Sequence, residues 1–288
     1  MKLKRLHSIM KKRPAHWVGD GFPVRSMISP QDEPEVNSPF LLLDYAEPYE
    51  FEPSEQPRGV GEHPHRGFET VTIAYQGEID HRDSAGNKGS IGPGDVQWMT
   101  AASGVVHEEL HGADFTHSGG TFEMIQLWVN LPAEEKARSP RYQELNRDVI
   151  PVVVLPDDAG TLRVIAGEAF GAKGPAKTVT PIQLLDLDLS GNVELPLPEG
   201  TTTLLLVRSG SIQINGTDSA GEGEFVRFER TGNGIALDAQ EKASVVVLNG
   251  TPIDEPVAAQ GPFVMNTREE LLQAFQDYQS GAMGRLAP

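Results

Sequence analysis

The feature that most constrains this chain is its punctuation. Short apolar runs rich in Val, Ile, Leu and Phe are broken by Gly- and Pro-bearing turns along almost the whole length. The turns recur about every 8–12 residues, the spacing of an antiparallel sandwich or barrel. With 30 Gly and 22 Pro in 288 residues, long helices have little room and short strands are favoured. Strands are expected at 39–45, 68–76, 79–82, 96–100 and 121–131. A second block is expected at 150–155, 162–166, 182–189, 201–207, 211–214, 224–228 and 243–248. Gly210 and Gly221–Gly223 in this block echo Gly77 and Gly92–Gly94 in the first, as in a degenerate duplication. Residues 46–62 read as a surface loop, and residues 132–148 as a charged connector. The natural division is 1–140 and 141–288.

Only the end reads as helical. Thr267 followed by Glu270 is a capping-box pattern, and Leu271, Leu272, Phe275 and Tyr278 return at helical spacing before Gly281. The fold class is therefore all-β: two tandem antiparallel β-barrels of jelly-roll type with a short C-terminal α-helix.

Within the first block, chemistry concentrates between His63 and Glu109. Alternate residues of a strand share a face, so His63 and His65 can converge, and so can His107 and Glu109. Two such pairs on neighbouring strands bring three imidazoles and a carboxylate to one point. That donor set suits one divalent transition metal: iron, nickel, manganese, copper or zinc. All eight histidines lie at or before His117, which places the chemistry in the first half. Glu108 is expected to point away from His107 and Glu109, towards solvent. His81 reads as a surface or loop histidine, and His111 and His117 as flanking the site mouth at most. Trp98 and Met99 line the cavity or pack in the core. Arg66 either orients Glu69 or caps a turn.

With no cysteine, the chain has no disulfides, thiolate nucleophiles or zinc–thiolate sites. The net charge of −17 opposes direct binding to nucleic acid or to an anionic membrane. The first 27 residues are locally basic, but their apolar residues are isolated, unlike a signal peptide. No apolar run has membrane-spanning length. A cytoplasmic location is the expectation.

Three runs carry a family resemblance: His63-Pro-His-Arg-Gly-Phe-Glu-Thr-Val, Gly92-Pro-Gly-Asp-Val-Gln-Trp-Met-Thr-Ala, and His107-x-Glu109. They resemble the pirin family of the cupin superfamily. Ser38-Pro-Phe-Leu-Leu-Leu-Asp-Tyr, Gln126-Leu-Trp-Val-Asn-Leu-Pro and Gly261-Pro-Phe-Val-Met-Asn-Thr extend the likeness over nearly the whole chain. The resemblance implies a bicupin with metal in the first barrel only. By position the ligands would be His63, His65, His107 and Glu109, with Fe(II) the first choice of metal. Cupins generally carry a carboxylate soon after His-x-His, which leaves Glu69 as a supporting candidate.

The implied activity is similar to quercetin 2,3-dioxygenase. A flavonol and dioxygen would react, the central ring would open, and carbon monoxide would leave. Glu109 would act as ligand and as base for the flavonol hydroxyl. The competing implication is a pirin-like, redox-sensing binding protein that modulates a transcription factor or metabolic enzyme.

Overall fold

The computed structural model describes residues 1–287. The chain forms two compact units. One contains Met1–Arg13, Val36–Pro39 and Asp148–Pro252; the other contains Pro14–Glu35, Phe40–Arg147 and Ile253–Pro288. The units thus follow chain order in their bodies but not at their ends, unlike a single cut at 140/141. Strand pairing explains the first exchange, since Leu6–Met10 pairs antiparallel with Phe225–Phe228.

Each unit is built on two antiparallel sheets, one of seven strands and one of four, and carries a two-stranded hairpin besides. This is a jelly-roll arrangement of the cupin type rather than a barrel closed by hydrogen bonds. In the unit built on Phe40–Arg147, the larger sheet runs, edge to edge, Arg141–Leu145, Val96–Thr100, Phe68–Gln76, Gly120–Asn130, Phe40–Phe51, Phe22–Ile28 and His16–Val18. The smaller sheet runs Gly59–His65, Val105–His111, Ile79–Asp83 and Lys88–Ile91. In the other unit Leu162, Val164, Leu185, Leu187, Leu205, Val245 and Val247 belong to one apolar core cluster.

Several loop expectations become strand. Phe40–Phe51 continues through the stretch read as loop, despite Pro48. Proline lacks the amide donor a ladder needs, and the register with Gly120–Asn130 shifts between Phe122 and Met124, where Tyr49 and Ala46 are the partners. Residues 141–145, inside the expected connector, form an edge strand on Val96–Thr100 just after Pro140. Short helices at Pro34–Asn37 and Ala113–Ser118 carried no readable signal.

The terminal helix, Arg268–Ser280, has the expected capping box. Thr267 Oγ1 accepts from the Glu270 amide at 3.2 Å, and Glu270 Oε2 accepts from the Thr267 amide at 2.9 Å. Gly281 ends it with φ 81°, the left-handed conformation that glycine adopts without Cβ strain. Its buried residues are Leu271 and Ala274, while Leu272 is exposed, so the apolar face is narrower than the sequence pattern implied. Phe275 packs edge-on against Phe263 with centroids 4.8 Å apart. No helix among the described residues is long and apolar enough to cross a membrane.

Candidate metal centre

The smaller sheet assembles the histidines. His107 lies directly opposite His63, and Val105 opposite His65, across the Gly59–His65 and Val105–His111 pair. On the other side of the same strand, Glu109 is opposite His81 and His107 opposite Asp83. Directly paired residues share a face, so six polar side chains point to one side. The register slips between His107 and Glu109, where the partner moves from His63 to Val60. Gly59 permits this approach: a Cβ there would stand 2.2 Å from the Glu109 carbonyl oxygen.

The imidazole centroids are 4.2 Å apart for His63 and His107, and 4.9 Å for His65 with either of the others. Two overlapping triads could each hold a metal ion: His63, His65 and His107, and His81, His107 and Glu109. In each, one ligand atom per residue lies within 4.8 Å of the others. His107 is common to both.

The hydrogen bonds select one nitrogen on each ring. His63 Nδ1 lies 2.8 Å from the Gly61 carbonyl oxygen, so Nδ1 carries the proton and Nε2 the lone pair. His65 Nδ1 faces the Pro262 carbonyl oxygen at 3.4 Å, with the same consequence. His107 Nδ1 lies 3.4 Å from His81 Nδ1, and His81 Nε2 lies 3.2 Å from Asp83 Oδ2. Burial pushes the Asp83 carboxyl up, but hydrogen bonds from His81 and Asn87 outweigh it and hold it below the usual range. An ionised Asp83 only accepts, so His81 donates through Nε2. With Nε2 as the donor, the lone pair of this tautomer is on His81 Nδ1, which accepts from His107 Nδ1. This leaves His107 Nε2 with its lone pair.

His107 is fully buried, and its Nε2 has no hydrogen-bond partner. Buried polar atoms normally find one. Burial, reinforced by the neighbouring imidazoles, holds His107 well below the usual histidine range, and burial does the same for His65. Both present neutral nitrogen, the form a divalent ion needs. The residues therefore fit a transition metal.

Glu109 is held by a polar row on the larger sheet. Ser26, Asp44, Gln126, Thr72 and Gln97 are successive cross-strand partners over five strands. Gln97 Nε2 donates to Glu109 Oε1 at 2.8 Å, and Gln126 Nε2 to Oε2 at 3.3 Å. The single proton of the Thr72 hydroxyl goes to Gln126 Oε1, 2.6 Å away. Tyr142 closes the end of the network, donating to Gln97 Oε1 at 3.2 Å and stacking on His81.

A cavity of about 220 Å³ opens onto His63, His65 and Glu109. Val24, Leu42, Val60, Met124 and Trp128 are among its apolar walls, and Asp44 and Gln126 are its other polar groups.

The remaining sequence candidates lie elsewhere or act differently. His81 is no surface histidine: it is 3% exposed, on the same face as Glu109. His111 is buried among Phe22, Phe51, Phe115 and Phe122, with Nε2 on the Gly21 carbonyl oxygen at 2.9 Å. His117 is exposed, and its Nδ1 lies 2.7 Å from the Ala113 carbonyl oxygen. Glu69 is fully buried and accepts from Thr100 Oγ1 at 2.7 Å. It has the opposite parity to Thr72 on its strand, so it faces away from the row that holds Glu109. Trp98 is opposite in parity to Gln97 for the same reason, and neither it nor Met99 lines the cavity. Met99 packs with Ala101 and Val105. Glu108 points away from its neighbours as expected, but it pairs with Arg82 instead of standing free in solvent. Arg66 pairs with Asp277 of the terminal helix at 2.5 Å, not with Glu69.

The chain and its architecture have known relatives. The Pirin family model matches residues 21–129, and the Pirin C-terminal cupin domain model matches 184–284. A pirin-like protein of Solanum lycopersicum is 42% identical, over 92% of this chain and 88% of its own. The chain belongs to the pirin family. Human pirin is 38% identical over 92% of this chain and 89% of its own length. A crystal structure named as quercetin 2,3-dioxygenase from Acinetobacter baumannii superimposes with a TM-score of 0.96 at 46% identity, covering 99% of this pirin and all of that chain. The fold is shared as well by an Escherichia coli pirin solved in complex with nickel(II), with a TM-score of 0.59 and 20% identity over 85% of this chain and all of that one.

Proposed function

We propose that this pirin is a metal-dependent dioxygenase that opens the central ring of a flavonol with dioxygen and releases carbon monoxide. The observation that carries the reading is the buried, unpartnered His107 Nε2 beside a mostly apolar cavity that opens onto His63, His65 and Glu109. The similarity to the Acinetobacter baumannii protein supports the substrate class.

In this reading His63, His65 and His107 hold one divalent ion through Nε2, and Glu109 holds it through a carboxylate oxygen. Fe(II) is our first choice, with nickel, manganese, copper and zinc as alternatives for the same donors. When bound, the ion supplies a Lewis acid and an electron relay. The protein's own residues do the rest. The walls at Val24, Leu42, Val60, Met124 and Trp128 bury the flat rings and exclude water. Glu109 takes the proton of the flavonol 3-hydroxyl. Its two oxygens each accept one amide hydrogen, which leaves lone pairs for the proton and the ion. Gln97 and Gln126 fix the carboxylate's orientation. We assign the protein to the cytoplasm, consistent with a cysteine-free chain.

The test is flavonol consumption and carbon monoxide release by metal-free protein and by protein loaded with each of the five ions. Turnover that appears only on loading supports the enzyme. Stoichiometric metal binding without turnover under any ion would overturn it in favour of a regulatory binding protein.

A further inference from the structure

The cavity contains one acid that the proposed chemistry leaves unused. Asp44 is 7% exposed and lies in the cavity wall together with His63, His65 and Glu109. It is a member of the polar row, between Ser26 and Gln126. The neighbouring members are satisfied within the protein. Gln126 is committed at both ends, with Oε1 accepting from Thr72 and Nε2 donating to Glu109. Gln97 is committed in the same way, to Glu109 and Tyr142. Asp44 differs. Ser26 Oγ donates to Oδ1 at 2.5 Å, and Oδ2 receives no hydrogen bond. Asp44 therefore presents to the cavity an acceptor oxygen that no protein donor occupies, and a ligand hydroxyl can pair with it.

We propose that Asp44 Oδ2 is the acceptor for a phenolic hydroxyl of the substrate, and that it selects hydroxylated flavonols over the same skeleton without that group. The assignment rests on the flavonol reading above and adds a second point of recognition to it. Metal ligands grip any 3-hydroxyflavone alike. The second contact distinguishes substrates by a hydroxyl remote from the chelating oxygens. Asp44 shares the cavity wall with His63, His65 and Glu109, so a ligand held there lies beside it. Burial also holds the Asp44 carboxyl above its usual range, against the opposing effects of the Ser26 hydrogen bond and of His16. A site built to pair a hydroxyl discriminates strongly against the analogue lacking it, because its own polar group is then left unpaired.

The experiment measures binding of quercetin and of unsubstituted 3-hydroxyflavone to the nickel(II)-loaded full chain, as wild type, Asp44→Leu and Asp44→Asn. Metal content and thermal melting establish that each variant is folded and loaded. Wild type is expected to prefer quercetin by about 10- to 100-fold, the worth of one hydrogen bond to a charged group. Asp44→Leu should bring that ratio close to one by weakening quercetin alone. Asp44→Asn, which keeps an acceptor oxygen, should retain part of it. A ratio unchanged in Asp44→Leu, or an equal loss for both compounds, overturns the assignment while leaving the flavonol reading standing. Wild-type protein that binds neither compound removes the flavonol reading and this assignment with it.

Discussion

His81 Nδ1 lies 3.4 Å from His107 Nδ1, at the end of a chain of contacts that begins at the Asp83 carboxylate. The consequence is directional. Asp83 fixes which His81 nitrogen donates, the other His81 nitrogen faces His107 Nδ1 as its acceptor, and His107 Nε2 is left with the lone pair and no hydrogen-bond partner. Metal-binding histidines commonly have such a partner on the second nitrogen, and its loss typically costs 10- to 100-fold in metal affinity.

The variant His81→Phe separates this role from packing. It keeps a flat ring against Tyr142, whose plane lies 13° from that of His81, and removes both nitrogens. Nickel(II) affinity is expected to fall by about 10- to 100-fold. In the metal-free variant, nitrogen-15 NMR of His107 should show the proton no longer confined to Nδ1. Unchanged affinity and an unchanged tautomer would contradict the relay.

Glu109→Gln tests the other half of the site. Both Gln97 and Gln126 aim an N–H at the Glu109 carboxylate, whereas an amide there offers only one oxygen. One donor loses its acceptor, at a cost of about 1–3 kcal/mol. The expected result is a lower denaturation midpoint with an unchanged slope, together with loss of flavonol deprotonation. Undiminished deprotonation would end the base role.

Much of the candidate site's geometry is legible in the sequence. Period-two alternation put His63 with His65 and His107 with Glu109, and the strand pairing sets His63 opposite His107. The same alternation was present at Ile79, His81 and Asp83, all buried on one side of a strand. In the sequence His81 stands as a lone histidine, without the neighbour that gives it a role. Gln97, Gln126 and Thr72 were beyond reach for a different reason. They meet Glu109 through register across three strands, which no local pattern encodes. Pro262 is more remote still. The turn at Gly67, with φ 92° and a would-be Cβ 1.9 Å from the Val264 carbonyl oxygen, admits the tail that carries it.

Acid should weaken the metal-free protein through the buried histidines. His65 and His107 are held well below the usual range, mainly by burial, so the folded state binds fewer protons than an unfolded chain titrating at about pH 6.5. Stability therefore rises with pH up to that point and falls as pH drops below it. Urea unfolding of metal-free protein at pH 7.5, 6.5 and 5.5 should show a declining midpoint. A midpoint that is flat or rises on acidification would contradict the neutral assignment.

Asp44 gives the opposite sign. Its folded carboxyl is raised, chiefly by burial, so the folded state retains a proton that the unfolded chain has released. Its contribution is present at low pH and is lost as pH rises through the folded value. Asp44→Asn should accordingly stabilise the protein more at pH 7 than at pH 4, the exchange of stability for function seen at binding sites. Thermal melts at the two pH values read this difference, and equal shifts would contradict it.

The central claim is that His63, His65, His107 and Glu109 together hold one transition-metal ion. Elemental analysis of protein purified without added metal, beside the His63→Ala/His107→Ala double variant, tests it most directly. The account predicts about one equivalent of a transition metal per chain in the wild type and none in the variant. Wild-type protein that contains no metal and takes none up on reconstitution would contradict it.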